Sequence, residues 1–231
     1  MDSQIKPRST ALISSATNQL HGLKALWIFL LGFYAVWTIW AILLVRFPLV
    51  FDGAYLRNGV RLLVWVAPAL VFIRWNEGPR VVDRVGLRLN ACRGIAYGAI
   101  VSVIVAPILY FMRHGFGLSG FCMPTNIATW IGPIITAPIA EEIVFRGLVF
   151  RRLREQWGTM SALLISSALF ALIHLPYWWL SGAKSGGDLC FSLLEIAGIG
   201  ALLCGLFRWT NSLWTPLVYH VFNNFITVSF S

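Results

Sequence analysis

The sequence predicts an all-α protein, a polytopic transmembrane bundle of about seven helices. Charged residues make up only 12% of the chain and apolar ones 58%, with a mean hydropathy of +0.75, whereas a soluble domain carries about 25% and 45–50%. A core built from 231 residues cannot hide that much apolar surface, so lipid has to solvate the excess. The apolar residues also fall into separate runs of roughly membrane-spanning length, with the basic residues collected between them. Such spacing argues against a nucleic-acid partner for the net charge of +9. Loop charge beside anionic lipid headgroups accounts for it better.

Residues 1–24 form a polar, mildly basic tail, expected on the cytoplasmic side. The run that follows, Ala25 to Val45, is too long for a signal-peptide core and lacks a small-x-small cleavage site, so it reads as a retained anchor. Leu62 to Ile73, bounded by Arg61 and Arg74, is short; it either begins earlier or only dips into the membrane. Ile95 to Met112 completes the N-terminal group, residues 25–112. Four further runs make up residues 127–230: Ile127 to Phe150, Thr159 to Trp179, Leu189 to Phe207 and Leu213 to Phe230. Pro176 is expected to end the fifth helix near His174. Gly198 and Gly200 are expected to permit close helix packing. Trp27, Trp37, Trp40, Trp178, Trp179, Trp209 and Trp214 read as interfacial belt residues. No internal repeat is visible, which weighs against a transporter built from inverted halves.

Loop charge sets the expected orientation. With the N-terminus inside, Lys6, Arg8, Lys24, Arg74, Arg80, Arg84, Arg88, Arg93, Arg151, Arg152, Arg154 and Arg208 are inner; Arg46, Arg57, Arg61, Arg113 and Lys184 are outer. The excess lies on the cytoplasmic side and puts the C-terminus outside. Arg80, Arg84 and Arg88 read as a solvated loop face. The expected location is a multi-pass protein of a prokaryotic cell membrane. Cys92, Cys122, Cys190 and Cys204 show no zinc-type spacing. Cys122 and Cys190 fall on one outer side, where they either pair or serve as small apolar fillers.

A charge at bilayer depth is expensive, so each one is a functional candidate. Of nine acids only Glu141, Glu142 and Glu195 lie inside spans, and of four histidines only His174 and His220; Arg146 and Asn224 join them. Glu142 and Arg146 are four residues apart on one helical face and neutralise each other. Glu141 is rotated about 100° away and has no local partner. Two adjacent buried carboxylates resist joint ionisation, and Arg146 holds Glu142 charged. Glu142 is therefore expected to be structural and Glu141 to be the base. Phe170 and His174 share one face of the fifth helix; His220 and Asn224 are one turn apart on the seventh, supplying donors for an oxyanion. Counted along the helices, His174 comes out roughly 10 Å above Glu141 and His220. The offset closes if the fifth helix starts near Gln156 or tilts. Glu195 is alone on its helix and reads as a helix-packing contact or a cavity-lining residue.

Glu141-Glu142-x-x-x-Arg146, then Phe170-x-x-x-His174, then His220-x-x-x-Asn224 resembles the CPBP family of intramembrane proteases, which includes CAAX prenyl endopeptidases and the bacterial Abi and bacteriocin-processing proteins. Gly205 to Pro216 also resembles the family's helix–short loop–helix join. The resemblance covers Ile127 to Phe230; residues 1 to 110 carry no such signature. It implies an endopeptidase acting on membrane-anchored or membrane-inserted peptides, with Glu141 and His174 activating water and His220 and Asn224 holding the oxyanion. Glu142, Arg146 and Phe170 would organise the site. No cofactor is needed in that scheme. The alternative within the family is zinc on Glu141, His174 and His220, a legitimate donor set, although the sequence lacks the HExxH pattern. A proton-coupled transporter and a non-catalytic immunity or scaffold protein are the readings from other classes.

Overall fold

The computed structural model describes residues 6–50, 53–114 and 121–230, with side chains from Gly22 onward except at 54, 106, 109 and 112–114. Among the described residues it is helical throughout, without strands. Helix α1 (Lys6–Arg46) is 41 residues long, about 60 Å at 1.5 Å per residue, or twice the thickness of a bilayer's hydrocarbon core. Only its part Gly22–Arg46 is apolar enough to cross. The expected N-terminal tail is thus, from Lys6 on, a continuation of the first helix. Lys6, Arg8 and Arg113, counted toward orientation, have side chains outside the described residues.

Helix α2 runs unbroken through Ala54–Arg61, a π-helical stretch Leu62–Val66, and Ala67–Glu77. The second span therefore begins earlier than its apolar run, and Arg57 and Arg61 are helical residues rather than loop charges. A short turn, α3 (Val81–Arg84), leads to α4 (Ala91–His114). Helix α5 is assembled from Ile127–Thr129, a π stretch Trp130–Thr136, Ala137–Glu142, a second π stretch Ile143–Phe150, and the start of Arg151–Leu172. Asn126 caps its start, its Oδ1 accepting from the Ala128 amide at 2.8 Å. Gly158, at φ 76° and ψ 175°, breaks that last stretch; residues 159–172 are α6. The short α7 (Leu175–Ser181), α8 (Gly186–Thr210) and α9 (Trp214–Ser229) follow. Asn211 ends α8 in the left-handed region (φ 50°), a conformation asparagine tolerates, so the expected short join into α9 is present.

Seven of these helices are long, matching the seven apolar runs. Gly22–Arg46, Tyr55–Glu77, Ile127–Ser181 (which contains α5 and α6) and Gly186–Thr210 meet the length and hydropathy needed to cross a membrane. Large apolar side chains point outward along them, Leu31, Leu63, Leu164 and Leu194 among them, each more than 60% exposed. Inside, rings from α1, α2, α5 and α6 stack edge to face, Trp37–Trp65 at 4.7 Å, Phe33–Trp65 at 5.0 Å and Phe145–Phe170 at 5.3 Å. This geometry suits the ring quadrupole, and the column ends beside the buried charges.

At the end of α5 away from its cap, charged groups pair. Arg151 Nη2 donates to Glu77 at 2.7 Å, and Arg151 and Arg152 each bond Glu155. Arg84 and Arg88 sit near Glu77 and Asp83. The four cysteines are free; the Cys122–Cys190 pair does not form.

Candidate active site

Glu141 and Glu142 lie at the join between two π stretches of α5. Such stretches shift the register of side chains and are frequent at functional sites. Glu142 is fully buried, and its Oε1 accepts from Arg146 Nη1 at 3.0 Å and from His220 Nδ1 at 2.8 Å. Arg146, equally buried, donates from Nη2 to the Gly200 carbonyl at 3.2 Å and lies 4.3 Å over the Phe170 ring. Gly200 allows a close approach here: a Cβ would meet Phe170 Cδ1 at 3.1 Å and Ser167 Cα at 3.2 Å, tight enough that these neighbours would have to shift by a few tenths of an ångström. Gly198 has no such neighbour, so of the two glycines only Gly200 mediates close packing.

Glu141 turns away from that pair. His220 Nε2 is 3.7 Å from its Oε2. With Glu142 ionised beside Arg146, His220 donates from Nδ1, and its Nε2 is left to face Glu141. Phe170 packs nearly perpendicular to both imidazoles, 5.8 Å from His174 and 6.0 Å from His220 between centroids. Glu141 and His174 line one cavity of about 480 Å³. A break at Gly158 starts α6 two residues beyond Gln156, near the start that the count from the sequence called for. His174 sits just past the end of α6, followed by Pro176 at the start of α7. Asn224 is near but not on the cavity wall; its Nδ2 donates to the Pro133 carbonyl at 2.9 Å and ties α9 to α5. Glu195 does not line the cavity.

The cavity also holds residues that the sequence reading placed elsewhere. Trp37, Trp40 and Trp178, assigned to an interfacial belt, form its aromatic wall with Trp65 and Tyr177. Trp37 is fixed there by a 2.7 Å bond from Nε1 to the Ile173 carbonyl. Trp179 and Trp209 are exposed, as a belt requires. Arg57, Asn58 and Arg61 line the same cavity, with Arg61 5.9 Å over the Trp37 ring. The signal was in the spacing: 37, 40, 41 and 44 on α1, and 57, 58, 61 and 65 on α2, each define one helical face.

The residues weighed for zinc, Glu141, His174 and His220, do not close into a group of three metal donors, and no other His, Cys, Asp or Glu cluster among the described residues does so.

Fold and site together define a class: a helical membrane protein that keeps carboxylates, imidazoles and a guanidinium in its interior, beside an aromatic cavity. The comparisons with known proteins agree with the motif resemblance. Residues 123–226, which hold all three motifs, match the family described as Type II CAAX prenyl endopeptidase Rce1-like. The chain is 33% identical over 94 residues to the putative membrane peptidase YdiL of Bacillus subtilis, covering 41% of this chain and 33% of that one. It is 25% identical over 190 residues to CAAX prenyl protease 2 of Caenorhabditis elegans, covering 75% of this chain and 69% of that one. The chain thus spans about a third of the Bacillus relative's length and about two thirds of the nematode one's. No solved structure matches it.

Proposed function

We propose that this chain is an intramembrane endopeptidase that hydrolyses peptide bonds of membrane-associated substrates without a metal. The observation that carries the reading is the division of labour between adjacent carboxylates. Glu142 is spent on Arg146 and His220, while Glu141 faces a cavity shared with His174. Glu141 takes a proton from water with His174 orienting it, and the hydroxide adds to the substrate carbonyl. The carbon–nitrogen bond then breaks, and the proton passes to the departing amine. Glu142 orients the His220 ring through Nδ1, so that Nε2, when it carries a proton, holds the oxyanion. Asn224 holds the Pro133 wall with one amide hydrogen; neither it nor His220 lines the cavity itself, so the oxyanion would meet them at its edge. The membrane supplies the substrate; by the positive-inside rule the cavity, at the end of α5 away from Arg151 and Arg152, faces the non-cytoplasmic side.

The test is cleavage of membrane-anchored peptides in proteoliposomes. Glu141→Gln and His174→Ala should lose nearly all activity. His220→Ala and Asn224→Ala should retain a residue, lower by about 10²–10³ each as for oxyanion donors. Chelation should change nothing. Normal cleavage by Glu141→Gln would end the assignment, and chelator inhibition reversed by zinc would transfer it to a metal mechanism.

A further inference from the structure

Two side chains outside the matched segment, residues 123–226, reach the helix end beside His174. Tyr34 and Trp37 are three residues apart on α1, on one face of that helix. The Tyr34 hydroxyl donates to the Leu169 carbonyl, and Trp37 Nε1 donates to the Ile173 carbonyl at 2.7 Å. Both acceptors belong to the last turn and cap of α6, where carbonyls run out of partners along the helix. The chain bends at this point: Ile173 caps the end of α6, His174 caps the start of α7, and Pro176 brings no N–H to the junction. The His174 amide donates to the Ala171 carbonyl at 3.1 Å, and the His174 carbonyl accepts from the Trp178 amide at 3.1 Å. Its ring packs between those of Phe170, 5.8 Å away, and Trp178, 5.1 Å away. Nδ1 is buried near the Phe170 and Ala171 carbonyls without closing a good hydrogen bond to either. The imidazole therefore points where the backbone of this bend sends it, and α1 holds that backbone.

We infer that Tyr34 and Trp37 are positioning residues, which cap the carbonyl end of α6 from α1 and so aim the His174 imidazole at the water beside Glu141. This rests on the endopeptidase reading and adds two residues to the same site. Trp37 is suited to the task because it is itself held: it is buried, and it meets the Trp65 ring nearly edge-on at 4.7 Å. Its ring lines the cavity that Glu141 and His174 share, so the bond to Ile173 fixes the wall and the imidazole together. Supporting bonds of this kind keep a reacting group within a fraction of an ångström of its working place. A displacement of about 1 Å at such a group costs on the order of a hundredfold in rate. Tyr34 and Trp37 act through His174; the bond-breaking groups remain Glu141 and its partners.

The experiment uses the full chain in lipid nanodiscs, labelled isotopically at histidine, with the His174 and His220 imidazole resonances assigned through His174→Ala and His220→Ala. Trp37→Phe removes the indole N–H, and Tyr34→Phe removes one hydroxyl and keeps the ring. Each should shift or broaden the His174 resonances and leave those of His220 in place. In the peptide assay each should lower kcat about tenfold to a hundredfold while KM stays near the native value. Trp209→Phe, at an exposed indole, should change neither. Unmoved His174 resonances in both variants would overturn the proposal, as would an unchanged kcat in both. Equal movement of His174 and His220 would also overturn it, by showing a general loosening of the bundle, and so would a loss confined to KM. Should Trp37→Phe fail to fold, Tyr34→Phe decides by the same readings. His174 resonances that respond in a chain without cleavage would count against the protease reading while leaving the capping contact standing.

Discussion

Arg146→Met isolates the energetic centre of the site. Methionine keeps an unbranched chain of similar bulk and adapts to irregular apolar space, so the change removes chiefly the guanidinium. Glu142 then remains fully buried with Oε1 bonded only to His220 Nδ1, while Oε2 already has no hydrogen-bond partner. Breaking a buried pair from one side costs about 3–5 kcal/mol, because the surviving charge is left uncompensated. The lost bond to the Gly200 carbonyl and the lost stack on Phe170 fall within that figure rather than adding to it. On a stability of roughly 5–15 kcal/mol this lowers the folding constant by about two to three and a half powers of ten. Glu142→Gln in the same chain removes the stranded charge and should restore much of the loss, leaving a coupling of about 2 kcal/mol or more between the two positions. Reversible unfolding in mixed micelles, titrated with a denaturing detergent and followed by tryptophan fluorescence, measures all four corners of the cycle. A single Arg146→Met variant within about 1 kcal/mol of the native chain, or strictly additive effects, would refute the claim that this pair is a desolvated unit.

Two further outcomes follow from packing. At Gly98 a Cβ would stand 2.8 Å from Val218 Cβ and 2.9 Å from the Thr215 carbonyl oxygen, so Gly98→Ala should force α4 and α9 apart at about 1–3 kcal/mol. Gly32→Ala meets nothing within 4 Å and should be neutral or stabilising by up to about 1 kcal/mol; the same unfolding titration compares them, and equal effects would contradict the close approach. Phe170→Leu removes the ring beneath Arg146 and beside both imidazoles. It should lower kcat in the peptide assay about tenfold while KM stays near the native value, in line with a positioning residue; a change confined to KM would place Phe170 in substrate binding instead.

The helices and the charged centre were legible in the sequence for one physical reason. Lipid punishes buried charge, so the segregation of Glu141, Glu142, Arg146, His174 and His220 into apolar runs left little else for them to be. The Glu142–Arg146 pair came directly from the four-residue spacing, and the structure keeps it at 3.0 Å. Spacing along a straight helix did not convey the π stretches around Glu141, nor the positive φ at Gly158, and these set where the side chains end up in space. His174 was counted roughly 10 Å too high to meet Glu141, yet both line one cavity. Asn224 illustrates the opposite failure: its position one turn from His220 was readable, but its partner, the Pro133 carbonyl, is 91 residues away.

The cavity wall was hidden by ambiguity in what tryptophan and arginine mean near a membrane. Both residue types belong at the interface, so Trp37, Trp40, Arg57 and Arg61 could be assigned there without contradiction. Helical phase distinguishes the readings. A belt needs residues at one height around the bundle, whereas Trp37, Trp40, Ala41 and Leu44 form a single stripe that descends along α1, and Arg57, Asn58, Arg61 and Trp65 form its counterpart on α2. Two stripes facing each other make a groove. The third wall, Ala128, Thr129, Gly132 and Pro133, closes it from α5 with small residues. From Thr129 to Glu141 is twelve residues, about 18 Å of helix, so the small-residue wall and the carboxylate belong to one groove that follows α5. The two halves of the sequence therefore meet at one place: the buried charges come from the motif-bearing half, and two of the three walls beside them come from the half without motifs.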